Sequence, residues 1–127
     1  AAYAVTPDLA LNIEGTTASD VPDVPEHGYA TSVGKGPALT IMDRTSIPAR
    51  PLVEKLQEVA EKENIPIQFR RATTGGTDAG KIQLTKGGIP VAGISVPCRY
   101  IHSPASVASL SDIQATISLV KAFLRTL

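Results

Sequence analysis

The stretch from Ile89 to Val96 (IPVAGISV) constrains the fold more than any other part of the chain, because almost every residue in it is apolar or small. This pattern is typical of a central strand that is buried on both faces and covered by helices. Shorter runs at 9–13, 38–42 and 65–70 also have the character of strands. Strands that alternate with helical segments predict an α/β fold, with helices packed on a largely parallel sheet.

Three helices are predicted between and after these strands. The first begins at Pro51, whose missing N–H costs nothing in a first turn, and its buried face is expected to comprise Leu52, Leu56, Val59 and Ala60. A short helix is predicted over 79–86, ending at two glycines. The last is predicted to begin at a capping box made by Ser111 and Gln114. Its core-facing stripe is expected to be Ile113, Ile117, Val120, Leu124 and Leu127.

The charge balance argues against several classes of partner. Lys plus Arg number 12, as do Asp plus Glu, and aromatic residues make up only 4% of the chain. A basic surface or stacking platform for nucleic acid is therefore not expected. No apolar run approaches the roughly 20 residues that span a bilayer. The single cysteine, Cys98, excludes an internal disulfide, which agrees with a cytoplasmic protein or with a chain large enough to need no such bond.

A glycine-rich segment, TTGGTDAGKIQ at 73–83, contains the spacing G-x-x-x-x-G-K of a phosphate-binding loop. Such a loop needs Ser or Thr after the lysine to hold magnesium, and this position is Ile82. The alternative is a glycine-rich turn between a strand and a helix, with Asp78 capping that helix. The sequence favours this alternative over nucleotide binding.

Two residues lie at positions where α/β sheets usually carry ligand-binding and catalytic side chains. Glu14 ends the first predicted strand, and His102 follows the buried strand, so both are expected at the carboxyl edge where ligands bind. A solvated acid and a surface imidazole are the alternative interpretations. His27 is expected to be exposed, and Cys98 to be a structural thiol beside Arg99.

Four motifs, read together, resemble the C-terminal part of the dinuclear metallo-aminopeptidases of the glutamyl and deblocking type, whose members assemble into tetrahedral particles. The motifs are IEGTTASDVP (13–22), GKGPALTIMDRT (34–45), GGTDAGKIQLTKGGIP (75–90) and VPCRYIHS (96–103). The resemblance runs from about Pro7 to the end of the chain. It implies a three-layer αβα sandwich of which residues 1–127 are the C-terminal portion. The N-terminal half and the inserted dimerisation domain of that family would be absent.

The resemblance also implies a site with two divalent metal ions, zinc or cobalt. Glu14 would ligate one metal and His102 the other. Family members also use an upstream His, a bridging Asp and an adjacent Glu-Glu pair that provides the general base, and this chain contains no Glu-Glu pair. The base is therefore expected upstream of Ala1. The residues that the resemblance assigns to the substrate pocket or to indirect support of the metals are Gly75, Gly76, Thr77, Asp78, Arg99 and Tyr100.

The function implied by the resemblance is hydrolysis of N-terminal residues from peptides by a water activated between two metals, with this chain alone inactive. Expected partners are peptide substrates and either further copies, from a dimer to a tetrahedral dodecamer, or the missing N-terminal segment. A non-catalytic assembly module is one alternative. A sugar-cleaving activity is another, because some relatives are named glucanases, although Glu14 has no obvious acidic partner except Asp20 or Asp78.

Overall fold

A five-stranded mixed sheet organises the chain, and the computed structural model describes all 127 residues. The strands are β1 (Ala10–Thr17), β2 (Ala38–Thr40), β3 (Gln68–Phe69), β4 (Val91–Arg99) and β5 (Val107–Ala108). The helices are α1 (Ala2–Val5), α2 (Arg50–Lys62), α3 (Ala79–Gln83) and α4 (Leu110–Leu124), with a single 3₁₀ turn at Glu26–Gly28. None of the helices has the length and apolarity needed to cross a membrane.

The strand directions differ from the largely parallel sheet that the sequence predicts. The order is β1-β4-β2-β3, with β5 against the end of β4. β1 runs parallel to β4 and β2 runs parallel to β3, but β2 and β4 pair antiparallel, as do β4 and β5. The two antiparallel pairings were not predicted, because an apolar run identifies a buried strand without indicating its direction.

The two faces of the sheet differ in polarity, because successive side chains of a strand point to opposite sides. Leu39, Ala92 and Ile94 face α2 and α4 and form one cluster with Leu56, Val59, Ala60, Leu119 and Phe123. The opposite face carries Glu14 and its register partner Ser95. α3 lies on this polar face, since Asp78 directly before it donates a main-chain hydrogen bond to Glu14. The chain therefore has helix, sheet and helix layers, as expected.

Most predicted elements exist, and proline explains two of the boundaries. Pro90 cannot donate to a strand ladder, so β4 starts at Val91 instead of Ile89 and continues to Arg99. Pro66 likewise precedes β3, which is two residues long instead of six. β1 is longer than predicted because it stays paired with β4 as far as Cys98. β2 ends at Thr40 and α3 at Gln83, both earlier than predicted.

α2 matches its prediction closely. Pro51 lies in the first turn, and Leu56, Val59 and Ala60 are buried. Leu52 is partly buried against the same cluster. Helical spacing of apolar residues with a charged outer face therefore identified both the element and its core-facing side.

α4 starts earlier and faces another way than the sequence predicts. Its N-cap is Ser109, whose Oγ accepts a hydrogen bond of 3.2 Å from the main-chain N–H of Ser111, so the predicted cap at Ser111 is wrong. The side chains that α4 buries are Asp112, Thr116, Leu119 and Phe123. Leu110, Ile113, Ile117, Leu124 and Leu127 form an exposed row, here called the α4 apolar stripe. Val120 is only partly buried. Four of the five residues predicted to face the core are thus exposed.

Candidate active site

A cleft of about 280 Å³ opens on the polar face of the sheet, where β1 and β4 approach their carboxyl ends. Residues 14–17, 74–77 and 101–102 line it, together with the single residues Thr40, Arg70 and Ser95. Five of the residues proposed from sequence therefore share one cavity: Glu14, Gly75, Gly76, Thr77 and His102. A larger cleft of about 450 Å³ lies between Tyr29 and Phe69, but it contains neither Glu14 nor His102.

Glu14 is held by two hydrogen-bond donors. Its Oε1 accepts a hydrogen bond of 3.0 Å from the Asn12 side-chain amide and one of 2.8 Å from the main-chain N–H of Asp78. Asn12 is buried and Glu14 is half-buried, so the carboxylate emerges from the sheet with one oxygen engaged. β1 continues to Thr17 beyond this residue, so Glu14 lies within the strand and not at its end.

His102 reaches the cleft through an unusual turn after β4. Tyr100 and His102 both adopt left-handed backbone conformations, with φ of 59° and 66°. Such conformations are uncommon for residues other than glycine and cluster at functional sites. The His102 side chain is exposed, so a ligand can reach its imidazole nitrogens.

Asp78 does not cap α3 with its side chain, contrary to the sequence prediction. An N-cap residue has an extended backbone, whereas Asp78 is already helical, with φ of −61° and ψ of −23°. Its contribution to the cleft is its main-chain N–H, which contacts Glu14. The carboxylate of Asp78 lies outside the residues that line the cleft.

Arg99 and Tyr100 also lie outside the cleft lining. Arg99 binds Asp20 through two hydrogen bonds, Nε to Oδ1 at 2.9 Å and Nη2 to Oδ2 at 2.7 Å. The Arg99 guanidinium holds the pKa of Asp20 below its usual value, although partial burial opposes this. Tyr100 is 56% exposed. Arg99 ends β4 directly before the turn that carries His102, and Tyr100 is the first residue of that turn.

Asp43 supports the cleft, although it was not among the residues predicted for the site. It is buried, and burial raises the pKa of its carboxyl. Hydrogen bonds from Thr45, Thr77 and Ser46 lower that pKa by a larger amount, so the net pKa is below its usual value. The available signal was its place in the motif GKGPALTIMDRT, three residues after β2.

Three polar residues that the sequence analysis also missed complete the cleft wall. Arg70 is the only lysine or arginine in the lining, and its Nη2 donates to the Thr74 carbonyl, while Nε and Nη1 are buried without a partner. The buried Thr40 Oγ1 has no hydrogen-bond partner. Ser95 lies beside Glu14 in the strand register. The position of Arg70, between β3 and the glycine-rich segment, was the signal that could have revealed it.

The residues present fit part of a dinuclear metal site. A carboxylate oxygen and an imidazole nitrogen both suit zinc or cobalt, and Glu14 Oε2 accepts no hydrogen bond within the chain. The chain contains no cluster of three or more His, Cys, Asp or Glu side chains placed to hold a metal. Catalytic zinc sites use three protein ligands, so Glu14 and His102 make up only part of such a ligand set.

The chain is similar in sequence and in fold to known aminopeptidases. The family model for M42 glutamyl aminopeptidase matches residues 1–119. A solved TET aminopeptidase from a marine sediment archaeon of the Thaumarchaeota is 41% identical, with a TM-score of 0.95 over 99% of this chain and 35% of its own. The lysyl aminopeptidase of Pyrococcus furiosus is 33% identical over 100% of this chain and 36% of its own length. The chain thus spans about a third of the length of these relatives.

Two further solved structures bear on assembly and on the sugar-cleaving alternative. The TET1 peptidase of Pyrococcus horikoshii, which assembles into a tetrahedron or a large octahedral shell, is 31% identical with a TM-score of 0.74, over 91% of this chain and 32% of its own. A protein from Thermotoga maritima named an endoglucanase is 33% identical with a TM-score of 0.73, over 95% of this chain and 35% of its own. In this chain Glu14 is the only carboxylate that lines the cleft, whereas glycosidases use two.

Proposed function

Because the chain belongs to the M42 glutamyl aminopeptidase family, we propose that it is the C-terminal portion of the catalytic domain of a metal-dependent aminopeptidase. The rest of that protein would provide the N-terminal half of the domain and an inserted dimerisation domain. The observation that carries the proposal is the presence of Glu14 and His102 on one cleft of the polar sheet face.

In this proposal Glu14 and His102 each hold one ion of a zinc or cobalt pair. When bound, two such ions polarise a peptide carbonyl and activate a water for attack. Gly75 and Gly76 form a wall without side chains, along which the backbone of a peptide can pass. Arg99 supports the turn that carries His102, because its ion pair with Asp20 anchors the end of β4.

The chain contains no candidate for the general base, since Glu14 is the only carboxylate that lines the cleft. We therefore expect this base, and the bridging ligand between the metals, to come from outside residues 1–127. The chain alone should not turn over peptides. The complete protein should release N-terminal residues from peptides. We expect it to do so in the cytoplasm, because the single cysteine of this chain cannot form an internal disulfide.

The experiment is an assay with amino-acid anilides and added zinc or cobalt, performed on the complete protein and on the 127-residue chain. We expect turnover only by the complete protein, and loss of this turnover in Glu14→Gln and His102→Ala. His27→Ala is the matched control, because His27 is exposed on the 3₁₀ turn and outside the cleft. Full activity of both ligand variants, or His102-dependent turnover by the chain alone, would contradict the proposal.

The α4 apolar stripe favours a second candidate function, in which the chain acts as an assembly module without catalysis. Leu110 and Leu127 are 83% and 73% exposed, and Ile117 and Leu124 lie between them. An exposed apolar row of this kind marks a surface that another protein segment covers. Light scattering of the 127-residue chain tests this: association that Ile117→Lys and Leu124→Lys abolish supports the module, whereas a monomer at all concentrations contradicts it.

A further inference from the structure

Two segments distant in sequence are locked together beside the cleft: the turn 43–46 after β2 and the glycine-rich loop 74–78. The Asp43 carboxylate organises the turn, because its Oδ1 accepts hydrogen bonds from the main-chain N–H groups of Thr45 at 2.7 Å and Ser46 at 2.8 Å. Its Oδ2 accepts 2.8 Å from the hydroxyl of Thr77, in the loop. One buried side chain therefore joins both segments.

Thr45 strengthens this joint with contacts of its own. Its Oγ1 accepts a hydrogen bond of 3.1 Å from the main-chain N–H of Thr77. The neighbouring Arg44 N–H donates a hydrogen bond of 2.9 Å to the Gly75 carbonyl. Gly76 and Gly80 pack so tightly on Thr45 that an added Cβ would lie 2.5 Å from its side-chain carbons. The loop thus rests directly on the turn, with hydrogen bonds at both Gly75 and Thr77.

Asp78, the residue that follows Thr77, connects this joint to Glu14 in the cleft. The Asp78 N–H donates a hydrogen bond of 2.8 Å to Glu14 Oε1. The same oxygen accepts a hydrogen bond of 3.0 Å from the side-chain amide of Asn12. Because Thr77 and Asp78 are adjacent, fixing the Thr77 side chain and N–H on the turn fixes the direction of the Asp78 N–H. That direction selects which oxygen of Glu14 is occupied and which remains free.

We propose that Asp43 and Thr77 are positioning residues, which hold the Asp78 N–H against Glu14 Oε1 and so keep Oε2 turned toward the cleft as the metal-binding oxygen. The metal role of Oε2 rests on the proposed function. The relay itself, from Asp43 through Thr77 and Asp78 to Glu14, is formed by this chain alone and needs no bound metal. Groups that orient a metal ligand are expected to affect metal affinity without touching the metal.

The test compares Thr77→Val, which removes only the hydroxyl donor, with Thr77→Ser, which keeps it. Thr85→Val is the control, because the Thr85 hydroxyl donates to the Lys81 carbonyl after the same helix and does not contact the relay. The first measurement is the amide proton shift and hydrogen exchange of Asp78 by NMR, with Glu14→Gln defining the values without the carboxylate. The second is the affinity for Co²⁺ by titration calorimetry.

In Thr77→Val we expect the Asp78 amide shift to move toward the Glu14→Gln value and the Co²⁺ affinity to fall about 10-fold. Thr77→Ser and Thr85→Val should behave as the original chain does. The relay is overturned if Thr77→Val changes neither quantity, or if amides of the core strand β4 exchange faster by the same factor, which would indicate general destabilisation. Co²⁺ binding that Glu14→Gln leaves unchanged would instead refute the proposed metal role while the NMR result still decides the relay.

Discussion

At the scale of single residues, Asp112 explains how a long irregular segment is held in one conformation. This carboxylate is 1% exposed in the first turn of α4, and it accepts hydrogen bonds from the main-chain N–H groups of Gly34 at 2.7 Å and Gly36 at 2.9 Å. Gly36 has a φ of 83° and its Cα faces the Pro66 carbonyl, so no other residue fits there. The loop before β2 is therefore anchored to a helix that lies far away in sequence.

We expect Asp112→Ala to lower the free energy of unfolding by about 3 kcal/mol, because two charge-assisted hydrogen bonds are lost and two buried donors are left without acceptors. Urea unfolding followed by circular dichroism measures this. Asp8→Ala, at an exposed position near the N-terminus, is the control and should change stability little. Equal effects of the two substitutions would show that Asp112 does not anchor the loop.

The ion pair between Asp20 and Arg99 predicts how stability depends on pH. The pKa of Asp20 is lowered from 3.8 in the folded chain, chiefly by its hydrogen bonds with Arg99, so its contribution is present above about pH 4 and is lost as pH falls through the folded-state pKa. The pKa of Asp43 is lowered too, and its contribution is lost in the same direction.

Asp20→Asn should therefore be less stable than the original chain at pH 7, by about 1 kcal/mol for a partly exposed pair. This difference should shrink between pH 4 and pH 3. Urea unfolding at pH 7, 5 and 3 measures it, with Asp23→Asn as a control at an exposed position without an ion pair. A difference that stays constant across these pH values would mean that protonation of Asp20 does not change the stability of the fold.

At the scale of elements, α3 depends on a close approach that only glycine permits. A Cβ at Gly80 would lie 2.5 Å from the Thr45 Cβ and 2.7 Å from the Thr45 main-chain oxygen, whereas nothing lies within 4 Å of a Cβ at Gly87. We expect Gly80→Ala to cost about 1–3 kcal/mol of stability through this overlap, and Gly87→Ala to be neutral. Thermal unfolding of both variants checks this, and a neutral Gly80→Ala would show that the turn can move away.

The elements also show what sequence could and could not determine. The apolar spacing in α2 identified its buried face, because Leu56, Val59 and Ala60 are apolar where Glu54 and Glu58 are charged. In α4 two apolar rows compete, and the buried one includes Asp112 and Thr116, so hydropathy alone selected the wrong row. The decisive contacts, from Asp112 to Gly34 and Gly36, join distant segments and leave no local pattern.

The candidate site divides in the same way. Glu14, His102 and the glycine-rich loop were recognisable because each belongs to a short motif. Thr40, Ser95 and Arg70 were not, since they become part of the cleft only when β2, β4 and the end of β3 lie side by side. Asp43 acts through hydrogen bonds to a loop more than thirty residues away, which no spacing rule encodes.

At the scale of the whole molecule, Glu14 and His102 come from the first and last thirds of the chain, so only the folded state can present both to a metal pair in one cleft. A ligand that binds the folded state alone stabilises it by RT ln(1 + [L]/Kd), which is about 1.4 kcal/mol for a Kd of about 100 µM and 1 mM metal. Zinc or cobalt should therefore raise the melting temperature of the 127-residue chain by several degrees. Glu14→Gln and His102→Ala should each reduce this rise, because each removes the ligand of one ion, and His27→Ala should retain it. Differential scanning calorimetry with and without metal makes the measurement, and a rise that persists unreduced in both ligand variants would place the bound metal elsewhere on the chain.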